Sequence, residues 1–251
     1  MEQTGERLVP GSGKKTDKVF AEHMARYRFV TSFIKNKKVL DIACGSGYGS
    51  AMIAEAGAAR VVGGDIDVAT IESARKNYQT NNLTFEVVDA VALPFEDKSF
   101  EAVVSLETIE HSSEAEKMMR ELARVLTDDG VFILSTPNRE ATKKLGINNP
   151  FHVGELNKEE LIALMGKYFQ RLEIFGQRPL RELSLKQKLI RKAYFLYTKI
   201  KWLEFLKRWF PEAKRQGVGE QIDGLGDDCH IEAIKPGKEY LYYVVVATSP
   251  V

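Results

Sequence analysis

A glycine-rich turn directly after a short apolar run constrains the fold of this 251-residue chain more than any other feature. Residues 38–44 read KVLDIAC, residues 45–49 read GSGYG, and the small side chains of residues 48–58 are typical of a helix. Glycines at alternate positions let a ligand approach the backbone, and the helix N-terminus offers free N–H groups. This strand, turn and helix predict a ligand crevice at the carboxyl ends of a parallel sheet.

The same alternation continues along the chain. Further strands are predicted at residues 60–67, 83–89, 102–106, 131–135, 171–176 and 240–248, and helices at residues 17–35, 68–78, 113–126 and 159–169. Strands alternating with helices indicate an α/β fold with a mostly parallel sheet and helices on both faces. We expect an N-terminal arm and helix over residues 1–36 that cover the site. One domain follows over residues 37–251, with a basic helical insertion at about 178–235.

Composition excludes several classes of protein. The net charge is only +1 and there are two cysteines, so neither a nucleic-acid-binding protein nor a disulfide framework is indicated. The N-terminus lacks the apolar stretch of a signal peptide, and no run approaches the ~18 apolar residues of a membrane span. We therefore expect a soluble, cytoplasmic protein.

Carboxylates near the turn indicate the kind of cofactor. Asp65 ends the second strand, where it can accept hydrogen bonds from both hydroxyls of a ribose, and Asp89 ends the third, near an adenine edge. Asp41 lies beneath the turn, which suits a cationic cofactor better than a pyrophosphate. A dinucleotide-dependent oxidoreductase is the main alternative, but it requires glycine where this chain has Ser50. Its Tyr-x-x-x-Lys pair, Tyr197 and Lys201, lies far past the sheet.

Four segments in order resemble the motifs of class I S-adenosylmethionine (SAM)-dependent methyltransferases. They are VLDIACGSGYG, VVGGDID, VVDA with LPFEDKSFEAVVS, and RVLTDDGVFILSTPN, spanning residues 39–138. The resemblance implies a Rossmann-like sheet of seven strands with the last antiparallel, and SAM as cofactor with S-adenosylhomocysteine (SAH) as product. It implies contacts to the cofactor from Asp41, Ala43, Gly45, Gly47, Tyr48, Asp65, Ile66, Asp89, Ala90 and Leu106.

Candidate residues for the methyl acceptor follow the fourth and fifth strands. SLETIEH places Glu107, Glu110 and His111 there, and NPFHV places His152 farther on. This set is similar to the metal-binding residues of small-RNA 3′-terminal 2′-O-methyltransferases, although the spacer is shorter and their other motifs are absent. We take His111, His152 and Glu110 as catalytic candidates without a metal. A divalent ion held by Glu107, Glu110, His111 and His152 is the alternative.

The chain resembles bacterial methyltransferases of sugars, surface glycans or secondary metabolites more closely. TGER at residues 4–7, EHMARY at residues 22–27 and NPFHV at residues 149–153 carry this resemblance, which places Arg26 and Tyr27 over the methionine end of SAM. We expect O-methylation of a sugar, glycan or other small hydroxylated acceptor. An N-methyltransferase for an amino sugar, an RNA ribose 2′-O-methyltransferase and a non-catalytic SAM- or nucleotide-binding module are the alternatives.

Positive charge is concentrated in one segment. Residues 178–215 contain twelve Lys or Arg against three Asp or Glu, interleaved with large apolar side chains. We expect this segment to form a lid over the acceptor, a contact for anionic lipid or a phosphate-binding surface. The alternative is a helical insertion that packs on the domain or on the second subunit of a homodimer.

Overall fold

The computed structural model describes residues 14–180 and 229–251. The predicted basic insertion therefore falls mostly outside the described residues, as do Tyr197, Lys201 and the first thirteen residues. At the two ends of this predicted insertion, the described residues include strand rather than helix.

Six helices and eight strands make up the described part of the chain. The helices are α1 (Lys14–Val30), α2 (Tyr48–Glu55), α3 (Val68–Asn77), α4 (Ala115–Val125), α5 (Arg139–Leu145) and α6 (Lys158–Met165). The strands are β1 (Lys38–Ile42), β2 (Arg60–Asp65), β3 (Leu83–Val87), β4 (Phe100–Leu106), β5 (Leu126–Pro137), β6 (Phe169–Pro179), β7 (Ile231–Ala233) and β8 (Tyr240–Pro250). One turn of 3-10 helix, Ile109–His111, follows β4.

All eight strands form one sheet in the order β3-β2-β1-β4-β5-β8-β6-β7. Strands β1 to β5 are parallel, and β8 is antiparallel to both of its neighbours. The mostly parallel Rossmann-like sheet is thus confirmed, but the count of seven strands is one too low. The additional strand is β7, a three-residue edge strand antiparallel to β6, in a region that was predicted to be helical.

Alternating side chains of the central strands pack on opposite faces of the sheet. Leu40 and Ile42 of β1 join one buried cluster with Met118 and Met119 of α4. Val39 of β1 joins a second cluster, which includes side chains from α1, α2 and α3. Because both faces are covered, the central strands are largely apolar, as is typical of a parallel sheet.

Polar residues fix where the helices begin. The side chain of Asp67 accepts a hydrogen bond from the Ala69 N–H and starts α3 directly after β2. Asn157 and Glu160 form a reciprocal capping box at the start of α6. None of the helices in the described ranges is long and apolar enough to cross a membrane.

Sheet topology determines where a ligand can bind. Strand order reverses at β1, since β2 lies on one side of it and β4 on the other. The loops after these strands diverge at such a point and leave a crevice beyond the carboxyl ends. Helix α1 is joined to the far side of the sheet, because Glu22 pairs with Arg178 of β6 at 2.5 Å.

Candidate functional site

The turn between β1 and α2 is held in a conformation that suits glycine. Ala43, Gly45 and Gly47 have φ angles of 55°, 54° and 86°. A Cβ on Gly45 would meet no atom within 4 Å, so this side of the turn is open. A Cβ on Gly47 would lie 2.8 Å from the Phe85 ring, so Gly47 serves the packing of the turn rather than the crevice.

Asp65 fastens the end of β2 to this turn. One carboxylate oxygen accepts the Gly45 N–H at 3.0 Å, and the other accepts the Asp67 N–H at 3.0 Å. Each oxygen of a carboxylate has two lone pairs, so both can accept a further hydrogen bond. The side chain is therefore oriented by the backbone and still able to bind a pair of hydroxyls.

Asp41 lies beneath the turn and is fully buried. Its carboxylate accepts a hydrogen bond from the Ser50 hydroxyl at 2.6 Å and contacts the Tyr27 hydroxyl at 3.4 Å. The Tyr27 ring covers Gly49 so closely that a Cβ there would lie 1.9 Å from it. Asp41 thus connects α1, β1 and α2 and lies below the turn, where the sequence placed it, and its contact with the cofactor stays a prediction.

Burial raises the pKa of Asp41 to about 7, although the hydrogen bonds from Ser50 and Tyr27 lower it. A raised pKa in the folded state means that this carboxyl contributes stability when it is neutral, and that this contribution is lost as pH rises towards and through 7. Relative to the Asp41→Asn variant, we expect the wild-type free energy of unfolding to fall by about 1 kcal/mol per pH unit between pH 5 and 7. Urea titrations of both proteins at several pH values measure this, and a constant difference would contradict it.

One cavity of about 650 Å³ extends from the turn to the loops after β4 and β5. Many of the predicted site residues line it, namely Tyr27, Ala43, Gly45, Tyr48, Asp65, Leu106, Glu107, Glu110, His111 and His152. Its volume is in the range of cavities that hold cofactors and small ligands. Residues predicted from two separate stretches of the sequence therefore lie around one cavity.

The remaining predicted cofactor residues do not line this cavity. Ile66 follows Asp65 and is 67% exposed. Asp89 turns the chain after β3 by accepting the Val91 N–H at 3.0 Å, and Ala90 packs at the margin of the core. Their contact with an adenine stays a prediction.

Arg26 is fully buried and is not among the residues that line the cavity. It pairs with Glu107 at 3.1 Å, and its guanidinium lies 4.5 Å from the centre of the Tyr242 ring. Glu107 also accepts the Ser135 hydroxyl at 2.7 Å. Arg26 therefore joins α1 to the strand ends, and its place over the methionine end of SAM stays a prediction.

Glu110, His111 and His152 come together at the other end of the cavity. The two imidazole rings lie edge to face with centres 4.9 Å apart. Glu110 is buried, and its backbone carbonyl accepts the N–H groups of Val153 and Gly154 at 2.9 and 3.0 Å. Burial and the neighbouring Glu107 raise the pKa of Glu110 well above its ordinary value.

Sequence reasoning missed several residues of this cavity. Glu155 accepts a hydrogen bond from the His152 ring at 2.5 Å and another from the Thr142 hydroxyl. His23 of α1 also lines the cavity, and burial lowers its pKa well below the ordinary value, which keeps its ring neutral. The i to i+3 spacing of His152 and Glu155 was the one available signal for this pair.

The open end of the turn fits SAM. The space over Gly45 admits a ligand directly against the backbone, and the oriented Asp65 carboxylate can accept both ribose hydroxyls. A pyrophosphate would meet this carboxylate at close range, and the lining residues in the described part of the chain include no lysine or arginine. The donor set thus favours a nucleoside with a cationic or neutral extension over a dinucleotide.

Comparison with known proteins agrees with this geometry. Residues 40–134 match the family model described as "Methyltransferase domain". A protein of Mycolicibacterium smegmatis named "Probable S-adenosylmethionine-dependent methyltransferase" is 37% identical over 165 residues, which are 64% of this chain and 62% of that protein. Tocopherol O-methyltransferase of Arabidopsis thaliana is 34% identical over 108 residues, 41% of this chain and 30% of that protein.

The fold extends this likeness beyond the matched residues. A SAM-dependent methyltransferase from Thermotoga maritima superposes with a TM-score of 0.60 over 92% of this chain and 90% of its own, at 17% identity. The chain spans only about three fifths of the length of the first curated relatives that it matches. Residues 40–134 thus belong to a methyltransferase domain, and the chain resembles class I SAM-dependent methyltransferases in its sequence, its sheet order and the cradle at Gly45 and Asp65.

Proposed function

We propose that this chain binds SAM and transfers its methyl group to a hydroxyl oxygen of a sugar, a glycan or another small hydroxylated molecule. One observation carries the proposal: a single cavity joins the cradle at Gly45 and Asp65 to the polar group formed by Glu110, His111 and His152. A donor and an acceptor bound at these two ends would share one cavity, which is what a direct transfer requires.

The residues at the cofactor end of the cavity would orient SAM and hold it in place. Asp65 would bind the ribose hydroxyls, the backbone around Gly45 would approach the methionine part, and Tyr48 and Leu106 would flank it. When bound, SAM supplies a methyl group on a positively charged sulfur. Asp41, through Tyr27 and Ser50, keeps the turn in shape from below.

The acceptor end of the cavity is suited to a hydroxyl because it contains side chains that can accept the hydroxyl proton. A hydroxyl oxygen is a poor nucleophile until its proton is removed or masked, whereas a neutral amine is a good nucleophile without loss of a proton. His152 is oriented by Glu155 at 2.5 Å, as a base usually is by a carboxylate. The likeness to a tocopherol O-methyltransferase supports an oxygen acceptor as well.

Methyl transfer forms one bond and breaks one bond. The acceptor oxygen forms a bond to the methyl carbon while the carbon–sulfur bond breaks, and the electron pair of that bond stays on sulfur in SAH. The proton of the acceptor hydroxyl leaves through the acceptor end of the cavity to solvent. Positioning by the cavity therefore contributes most of the catalysis, and the polar cluster removes the proton.

Isothermal titration of the full-length protein with SAM, SAH and NAD⁺ tests the first half of the proposal. We expect one molecule of SAM or SAH to bind per chain and NAD⁺ not to bind. Binding of NAD⁺, or absence of binding by both SAM and SAH, would contradict it.

Transfer of labelled methyl from SAM tests the second half. A screen across sugars, sugar nucleotides, amino sugars and small RNAs should give label in a base-stable ether of a sugar or another small alcohol. Label found only on an amine or only on RNA would instead identify one of the alternative acceptors.

A further inference from the structure

Three potential ligand atoms converge at the acceptor end of the cavity. One atom each from Glu110, His111 and His152 lies within 4.8 Å of the other two. Ligand atoms about 2.1 Å from a tetrahedral metal ion are about 3.4 Å apart. The three side chains would therefore have to close by at most about 1.4 Å, which small changes of side-chain torsion angles provide.

Glu110 offers an oxygen that nothing in the described part of the chain satisfies. Its Oε2 atom accepts the Thr136 hydroxyl at 3.1 Å, while the buried Oε1 atom has no hydrogen-bond partner. Buried carboxyl oxygens are normally paired, because an unpaired one has lost its hydration without replacement. A cation in the cavity would satisfy this oxygen.

Both histidines are held in the manner of metal ligands. The Nδ1 atom of His111 lies 3.2 Å from the Phe151 carbonyl oxygen, and that of His152 lies 2.5 Å from a Glu155 oxygen. Because a carbonyl or carboxylate oxygen only accepts, Nδ1 carries the proton in each neutral ring and Nε2 has a lone pair. Metal-bound histidines typically donate their second N–H to such an oxygen.

Glu107 does not belong to this group, although the sequence suggested a set of four. The same Glu107 oxygen accepts the Ser135 hydroxyl at 2.7 Å and pairs with Arg26 at 3.1 Å. Glu155 instead stands behind His152, and the Thr142 hydroxyl holds it there. Three protein ligands remain, which leaves positions open for water or a substrate atom.

We propose that Glu110, His111 and His152 bind one divalent transition-metal ion, with the acceptor hydroxyl in an open coordination position. Two imidazoles and one carboxylate favour Zn²⁺, Mn²⁺, Co²⁺ or Fe²⁺ over Mg²⁺ and Ca²⁺, which prefer oxygen ligands. A bound ion acidifies a coordinated hydroxyl and holds it in place for transfer. The placement of the hydroxyl rests on the proposed function, whereas the binding of the metal does not.

The site is tested by titrating chelator-treated, full-length protein with Co²⁺ and following the visible absorption of the bound Co²⁺. Zn²⁺ is then added to displace the Co²⁺. We expect one ion per chain and at least tenfold weaker binding in Glu110→Gln and in His111→Ala. Glu155→Gln should weaken binding by about 10- to 100-fold, as loss of a partner behind a ligand does. Glu159→Gln, at an exposed position of α6, should bind as the wild type does.

Absence of saturable Co²⁺ and Zn²⁺ binding would overturn the proposal, as would binding that both Glu110→Gln and His111→Ala leave unchanged. If Glu110→Gln does not fold, the His111→Ala variant tests the proposal, because His111 is exposed. Methyl transfer at full rate in the chelated protein would remove the ion from the reaction while the proposed function stands. Metal binding without any methyl transfer would leave the site standing and count against the proposed function.

Discussion

The His152→Ala variant is expected to turn over at least about 100-fold more slowly in methyl transfer, with the dissociation constant for SAM unchanged. The reason is the position of His152, which lies at the acceptor end of the cavity and is held by Glu155 at 2.5 Å. The loss is expected whether this nitrogen takes the acceptor proton directly or holds a metal ion. Single-turnover transfer of labelled methyl, together with calorimetric binding of SAM, measures both quantities.

His230 provides the matched control for this variant. It is exposed and is absent from the residues that line the cavity, so His230→Ala should retain wild-type turnover. Wild-type turnover in His152→Ala would remove His152 from the reaction. A large loss of SAM affinity in the same variant would show that it acts on the cofactor end instead.

Asp65→Asn is expected to weaken SAM and SAH binding by about 10- to 100-fold, because hydrogen bonds to a charged group contribute about 1.5–3 kcal/mol. The asparagine retains one oxygen, which can still accept the Gly45 N–H, so the turn should stay folded. It cannot offer two acceptors to a pair of ribose hydroxyls. Calorimetric titration measures the affinity, and thermal unfolding without ligand reports on the fold.

Asp129→Asn is the control for the loss of one negative charge. Asp129 is exposed in β5, close to its start and away from the carboxyl ends of the strands. This variant should bind SAM as the wild type does. Equal affinity in Asp65→Asn and wild type would mean that the ribose is held elsewhere.

Most of the fold could be predicted because its signals are local, although the short helix α5 was not predicted. Each central strand is a short apolar run, and Asp67 caps the helix that follows β2, so the order of strands and helices could be predicted. The carboxyl ends of parallel strands meet at one edge, which brought Asp65 and His111 into one cavity as expected. The short edge strand β7 was missed, since three residues carry too little pattern to be recognised.

Long-range pairing explains the rest of what the sequence did not predict. Arg26 pairs with Glu107, which is eighty-one positions away in the chain and adjacent only after folding, and the sequence did not indicate this pair. Asp41 was predicted to lie beneath the turn, but its enclosure there by Tyr27 from α1 and by Ser50 was not predicted. The role of a charged side chain therefore depended on partners that no local motif reveals.

A crystal structure of the full-length protein grown with SAH tests the central claim most directly. We predict electron density for one SAH molecule in the cavity, with both ribose hydroxyls within hydrogen-bond distance of the Asp65 carboxylate and the amino acid part beside Gly45. Saturating SAH that leaves this cradle empty, or binds at another surface, would contradict the identification of the cofactor site and the mechanism that depends on it.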